Sequence, residues 1–200
     1  MKNALIINAH HPYPFSQGKL SAALVDRIAH NLTSRGFEVE HTATSADYDI
    51  EQEVEKHRWA DLIVIQAPLN WFSIPWPLKK YMDEVYTAGL DGRVCKTDGR
   101  TSDRPKENYG TGGTLTGRKF MLSMTLNAPK EAFDNPTEVF MQGKSIDDLM
   151  LHVNSNYRFL GMETLPTFAC FDVIKNPTID EDFARLDAYL DEHVHSVVSN

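Results

Sequence analysis

The sequence is poor in cysteine. Its two copies, Cys95 and Cys170, lie far apart and form no C-x-x-C pair. That excludes a disulfide framework and a cysteine-based zinc site, and two free thiols in a reducing compartment are expected. Long apolar runs are also missing. None approaches the roughly eighteen residues of a membrane helix, and the longest early run, Ala4 to Ile7, is too short for a secretory signal core. The expectation is a cytoplasmic protein without integral membrane association. Positive charge is scarce: 20 lysines and arginines against 28 aspartates and glutamates leave a net charge of −8. Such a balance argues against nucleic acid as a partner, which normally demands a basic excess. Eight histidines are present, but no pair has the i, i+4 spacing with acidic support seen in H-E-x-x-H, so no metal site is expected. His193 and His195 fall near the end of a surface helix, where the helix dipole accounts for them. Neither G-x-x-x-x-G-K-[ST] nor G-x-G-x-x-G occurs.

What is present is ordinary globular material. With 200 residues, 42% apolar and 24% charged, the chain is expected to form a single domain over residues 1–200 and to bury most of its apolar surface without staples. Strand and helix signals alternate. Asn3 to Ala9 reads as a buried strand. A helix over Gln17 to Ser34 follows, with Leu20, Leu24, Ile28 and Leu32 as its stripe, Ser16 as its cap and Gly36 as its stop. Phe37 to Thr42 alternates as a second strand. Asp49 and Gln52 have capping-box spacing and open a helix to about Trp59. Leu62 to Ala67 is the third strand. Pro75 and Pro77 suit the first turn of a helix that carries Leu78, Tyr81, Met82 and Val85 on one face and closes at Gly89. Ala88 to Gly117 shows no apolar period, and a segment of about thirty residues without one is usually functional or disordered. Phe120 to Thr125 is the fourth strand, and Asn127 to Lys144 is again irregular. Ser145 and Asp148 cap a helix with the stripe Ile146, Leu149, Met150, Val153 and Tyr157, ended by Gly161. Thr167 to Ile174 reads as the fifth strand. Thr178 and Glu181 cap a last helix whose Ile179, Phe183, Leu186, Leu190 and Val194 face inward.

Five strands alternating with five helices imply an α/β fold, a doubly wound parallel sheet with helices on both faces. In such sheets ligands sit beyond the carboxyl ends of the strands, near the switch point. For the flavodoxin-like order 2-1-3-4-5 this selects the loops after strands one, three and four.

The first of these runs from His10 to Ser16 straight into a helix. Unpaired N–H groups and the positive end of the dipole make that a phosphate site; the plainer alternative is a serine that only caps its helix. The second, Pro68 to Pro77, sets Trp71 and Phe72 beyond a strand end. Flat apolar faces there suit stacking on a planar ring, and exposed backbone groups can pair with its polar edge; an aromatic plug over the sheet end is the alternative. The third, Thr125 to Phe133, meets the same ring from the other side. Ahead of that strand Tyr109-Gly110-Thr111-Gly112-Gly113 allows close backbone approach. Arg93, Lys96, Arg100, Arg104 and Lys106, set among Asp91, Asp98, Asp103 and Glu107, form a locally neutral-to-positive island. It is either an attractor for a phosphorylated dinucleotide or a solvated loop. No Ser/His/Asp set or carboxylate pair specifies hydrolysis.

The chain resembles the modulator of drug activity B family, NAD(P)H quinone oxidoreductases of flavodoxin-like fold. The residues that carry the likeness are Leu5-Ile6-Ile7-Asn8 with Ser16 and Gly18, then Trp59-Ala60-Asp61, and Pro75-Trp76 before Lys79-Lys80-Tyr81. They continue through Asp98-Gly99-Arg100, Tyr109-Gly110 with Gly112-Gly113, and Asn127-Ala128-Pro129 with Glu131-Ala132-Phe133. Phe159 to Glu163 and Leu165 to Phe168 extend the match. Each piece is weak, but the ordered set is strong and reaches about Pro177.

The resemblance implies one non-covalent FAD per subunit, NADPH or NADH as hydride donor, a quinone substrate and a homodimer. By position, Ser16, Gln17, Gly18, Lys19, Leu20, Ser21, Ala22 and Ala23 are implied to bind the FAD phosphates. Leu69, Asn70, Trp71 and Phe72, with Thr125, Leu126, Asn127 and Ala128, are implied to hold the isoalloxazine. Tyr109 is implied to close the site, and His10 to lie near the cofactor. Asn70 departs from the family pattern, in which an aromatic often precedes the tryptophan. The implied activity is a two-electron, ping-pong reduction of quinones, NADPH-preferring, without an assigned acid–base residue. The alternatives are an azo- or nitroreductase of the same fold, and a non-catalytic flavodoxin-like electron carrier.

Overall fold

Central strands that are buried on both faces favour apolar residues at most positions rather than at alternate ones. This is why β1 (Lys2–Asn8), β3 (Leu62–Pro68) and β4 (Lys119–Thr125) are apolar through most of their length, with buried Ser123 donating to buried Gln66 Oε1 at 2.6 Å. In the computed structural model, which describes residues 2–195, they form the middle of a parallel sheet. β2 (Phe37–Ala43) lies on the outer side of β1, with Ala4 opposite both Val39 and Leu62. The strand order, β2-β1-β3-β4-β5 with β6 also paired to β4, is that of the doubly wound arrangement expected.

The fifth position departs from the expected single strand at Thr167 to Ile174. It is built from two short pieces, β5 (Glu163–Thr164) and β6 (Phe168–Cys170), both paired to β4. Pro166 stands between them and has no N–H for the ladder. The chain then leaves the sheet after Cys170, because Asp172 is left-handed, with φ 49°. Val173 and Ile174 are thereby carried out of the sheet.

The helices divide by their stripes. α1 (Lys19–Ser34) and α6 (Ile179–His193) cover one face, where Leu24, Ile28, Leu32, Leu186 and Leu190 pack on Ala4, Ile6, Val64 and Met121. α2 (Ile50–Trp59), α3 (Trp76–Ala88) and α5 (Leu151–Phe159) cover the other, through Val54, Leu78, Tyr81, Val153 and Tyr157. Buried Glu53 ties this second layer together. It accepts from Thr42 Oγ1 at 2.8 Å, Tyr81 hydroxyl at 2.6 Å and Lys56 Nζ at 2.7 Å, so its burial is compensated by three donors.

Local chemistry explains most ends. Asp49 accepts from Gln52 N at 2.9 Å and starts α2. Ser145 and Asp148 form a reciprocal capping box on the one-turn helix α4 (Ile146–Leu149). The single helix expected after Ser145 is broken at Met150, which has φ −92° and ψ 9°, and α5 begins at Leu151. Thr178 precedes α6 without a side-chain capping bond, contrary to the sequence expectation. His193 is the last residue of that helix, and His195 lies beyond it.

The aperiodic stretch between α3 and β4 is pinned at its neck. Lys96 N donates to Gly112 O and Thr114 N to Val94 O, both at 3.0 Å, while Leu115 N donates to Leu160 O at 2.9 Å. Val94, Cys95 and Leu115 are buried there, and residues 101–109 are exposed. Cys95 and Cys170 are both buried, free thiols. Among the described residues no helix is long and apolar enough to cross a membrane.

Candidate active site at the carboxyl ends of the strands

The loops after β1, β3 and β4 converge on one cleft of about 820 Å³. The sheet dictates that place, because strand order reverses between β1 and β3 and the following loops part to opposite faces.

Two tight turns flank the opening. In the first, Tyr13 N donates to Ser16 O and Ser16 N to Tyr13 O, both at 2.9 Å, with Pro14 and Phe15 at the tip. In the second, Asn70 N donates to Ser73 O at 2.9 Å and Ser73 N to Asn70 O at 3.0 Å. Its tip residues Trp71 and Phe72 have φ 49° and 61°. Two successive left-handed residues are what a two-residue hairpin turn of mirror-image type requires, and bulky side chains pay conformational energy to adopt it. That cost is concentrated beside the cleft, where Trp71 is 94% exposed.

The first turn corrects the reading of Ser16. The backbone of Ser16 closes the turn, and its Oγ meets His10 Nε2 at 3.3 Å instead of capping α1. The helix begins two residues later, with left-handed Gly18 at the N-cap and no side-chain capping bond. Among the described residues no internal acceptor takes the N–H of Lys19, Leu20 or Ser21. The first turn carries no acidic residue. The uncapped end of a 16-residue helix therefore faces the cleft with free donors, the positive end of the dipole and the Lys19 side chain. Behind it His10 is buried, and its backbone N–H donates to Asn8 Oδ1 at 3.1 Å. Burial and the neighbouring His11 hold the His10 imidazole below its ordinary value, against an opposing hydrogen bond with Ser16, so the neutral ring is favoured.

On the other side the cleft is walled by Leu69, Asn70 and Trp71 and by Thr125, Leu126 and Asn127. Leu69 N donates to Thr125 O at 2.8 Å, which locks the two loops together. Twelve of the residues singled out in the sequence therefore line the cleft: Ser16 to Ser21, Leu69 to Trp71, and Thr125 to Asn127. His10 joins them.

Five do not. Ala22 is exposed and Ala23 lies further along α1. Phe72 turns away to Phe140, with ring centroids 5.0 Å apart. Ala128 packs against the core. Tyr109 stands on Phe159 at 6.1 Å with Arg100 5.5 Å above its ring, outside the cleft of its own chain. The charged island also lies elsewhere. Arg93 pairs with Asp91 and Glu51, Arg100 with Asp98 and Arg104 with Glu107, and none lines the cleft.

Sequence reasoning missed several walls. Tyr13 and Phe15 stack at 5.5 Å, and His11 sits edge-on to Tyr13 at 5.1 Å and to Trp76 at 5.4 Å. The aromatic spelling of the first loop was the available signal. Val173 and Ile174 were hidden because they read as strand. Val173 N donates to Leu126 O at 3.2 Å and Asp172 N to Ala128 O at 3.0 Å, which folds them over the cleft. The residues present fit a flat ring bearing a phosphate. His11 Nδ1 is buried at the cleft without a partner, and the N–H groups of Trp71 and Asn127 meet no internal acceptor among the described residues.

Comparison with known proteins gives the same picture. A family model described as flavodoxin-like fold matches residues 2–194. The NADPH:quinone oxidoreductase MdaB of Haemophilus influenzae is 42% identical over 190 residues, which cover 95% of this chain and 98% of that one. A Klebsiella pneumoniae structure assigned provisionally as a quinone reductase superposes with TM-score 0.75 at 25% identity, covering 98% of this chain and 86% of that one. An FMN-dependent NADH-azoreductase from Bacillus anthracis, solved with FMN, shares the fold at TM-score 0.65 and 18% identity, covering 96% and 99%. With the match running through almost every described residue, the chain belongs to the flavodoxin-like fold family and, within it, to the modulator of drug activity B branch.

Proposed function

We propose that this protein is an FAD-dependent NAD(P)H:quinone oxidoreductase, NADPH-preferring, that reduces quinones to hydroquinones by two electrons in a ping-pong cycle. One observation carries the reading: a single cleft joins an uncapped helix N-terminus to a largely apolar wall that includes Trp71 and Leu126. A phosphate-bearing ring system needs those two environments side by side. The 42% identity to an NADPH:quinone oxidoreductase supports the donor and the acceptor.

A flavin, when bound, supplies the ability to take a hydride from one substrate and to pass two electrons to the next. The chain's own residues position and tune. The N–H groups of Lys19 to Ser21, with the Lys19 ammonium, would hold the phosphates. Trp71 and Leu126 would keep the ring flat between them and exclude water from its faces. The free N–H groups of Trp71 and Asn127 lie where they can donate to the polar edge of the ring, and fixed donors favour negative charge there. His10, held neutral, contributes a hydrogen-bonding ring rather than a charge. No acid–base residue is assigned, since hydride transfer itself requires none.

A homodimer belongs to the same reading. Tyr109 stands outside its own cleft on a loop whose residues 101–109 are exposed. If it closes a site, that site is in a second copy. Light scattering is expected to show a dimer, and a fully active monomer would remove this role.

The deciding experiment releases the flavin from the purified protein and identifies it by chromatography, followed by initial rates with NADPH and a menadione-like quinone. FAD and parallel double-reciprocal lines are expected. FMN would overturn the larger cofactor, and intersecting lines would overturn the shared site. The azoreductase of like fold keeps a second acceptor class in view. Comparing kcat/KM for a quinone, an azo dye and a nitrofuran separates them, and the quinone is expected to lead.

A further inference from the structure

The break between α4 and α5 frees a backbone carbonyl beside His152. In an unbroken helix the Leu149 carbonyl would accept from Val153 N. Here Val153 N and Asn154 N both donate to Met150 O, at 2.9 and 3.0 Å, and no backbone N–H reaches Leu149 O among the described residues. A carbonyl left free in this way is open to another donor. His152 provides it: Nδ1 lies 3.1 Å from Leu149 O. A carbonyl only accepts, so Nδ1 carries the proton in the neutral ring, and Nε2 is left as an acceptor. Nε2 lies 3.0 Å from Ser73 Oγ, whose hydroxyl is then the donor.

Ser73 is the closing residue of the Trp71–Phe72 turn, joined to Asn70 by two backbone bonds. That turn holds two adjacent bulky residues at positive φ. Such backbone persists only where its surroundings hold it. Its visible supports are the Asn70–Ser73 pair, the Phe72–Phe140 contact and the Ser73–His152 bond, which crosses 79 residues of sequence to reach α5. Of these, the His152 bond alone fixes the turn to a helix of the core layer.

We propose that His152 is a positioning residue. Through Ser73 it sets the turn that presents Trp71 to the cleft, and so determines how a flat ring is seated and which acceptor fits against it. This rests on the flavin reading of the cleft given above.

The test uses the holoprotein with His152→Ala, Ser73→Ala, the double variant and His152→Gln, which restores an acceptor near the place of Nε2. Each alanine variant is expected to change the visible circular dichroism of bound flavin and to raise the quinone KM or flavin Kd about fivefold, the size of one neutral hydrogen bond. The double variant is expected to match the singles, because both act through one bond, and His152→Gln to recover most of the effect. The indole resonance of Trp71, read by NMR in all four variants, reports the turn whether or not flavin is present. A shift of that resonance without any flavin binding supports the coupling and overturns the flavin reading alone. An unmoved resonance with unchanged KM overturns the proposal, as does a loss of thermal stability unaccompanied by either change. Additive effects of the two single variants overturn it as well.

Discussion

The imidazole of His10 lies against the backbone of Gly18, so closely that a β-carbon on Gly18 would stand 2.5 Å from Nδ1. The same residue has φ +74° and opens α1 at the cleft. Close approach and positive φ both demand glycine there.

Gly18→Ala is therefore expected to displace His10 and tilt the first turn of α1. A stability loss of about 1–3 kcal/mol is expected from the backbone conformation alone, with weaker flavin binding beyond it. Urea titration and flavin Kd measure the two effects separately. Wild-type values for both would show that the ring and the helix start are independent.

Trp71→Gly should divide stability from binding. Glycine adopts φ 49° without strain, and Trp71 is 94% exposed, so little packing is lost. Stability is expected to stay level or rise by about 1 kcal/mol. Flavin affinity is expected to fall at least about tenfold, as removal of a stacking wall implies. Unchanged affinity would exclude Trp71 from the ring site.

His57 is expected to govern an acid transition. It is fully buried, its Nδ1 lies 2.9 Å from Glu53 O, and burial pushes its pKa from 6.5 down to about 4. Between those values the unfolded chain takes up a proton that the folded chain refuses. The associated stability is complete above pH 6.5 and is lost as pH falls towards 4, by on the order of 3 kcal/mol. Denaturant titrations at pH 7.5, 6, 5 and 4.5 should show this slope, and His57→Phe should flatten it. An equal slope in the variant would assign the transition to other groups.

Gly113 seats the neck of the loop between α3 and β4. A β-carbon there would fall 2.0 Å from the Leu160 carbonyl carbon. Gly113→Ala is expected to lift the loop from the end of α5 while the sheet stays intact. Limited trypsin digestion should then cut faster at Arg100 and Lys106, with the far-ultraviolet circular dichroism unchanged. If the loop serves a dimer, light scattering should show dissociation too. Equal cutting rates would mean that the neck tolerates the shift.

Much of the fold is legible in local chemistry. Leu24, Ile28 and Leu32 share a helix face, and Leu62 to Ile65 form an unbroken apolar run. Neither pattern suits another element. Asp49 and Ser145 cap as their spacing suggests, because a cap involves only near neighbours. Ser16 fails for the opposite reason. Whether its hydroxyl caps α1 depends on the Tyr13–Ser16 turn and on His10, and spacing to the helix does not express either. Val173 and Ile174 have the composition of a strand, and their place over the cleft follows from left-handed Asp172 and bonds to Leu126 and Ala128.

By itself, then, the sequence determined the alternation of strands and helices, the parallel sheet and the three loops in which a site had to lie, since periodicity and handedness are local properties repeated along the chain. Which side chains share the cleft follows from packing in three dimensions. That packing placed Tyr109 on Phe159 and away from its own cleft, paired three arginines of the charged island with nearby carboxylates, and brought His152 to Ser73. Contacts across dozens of residues are set by packing and by the need to satisfy each buried polar group.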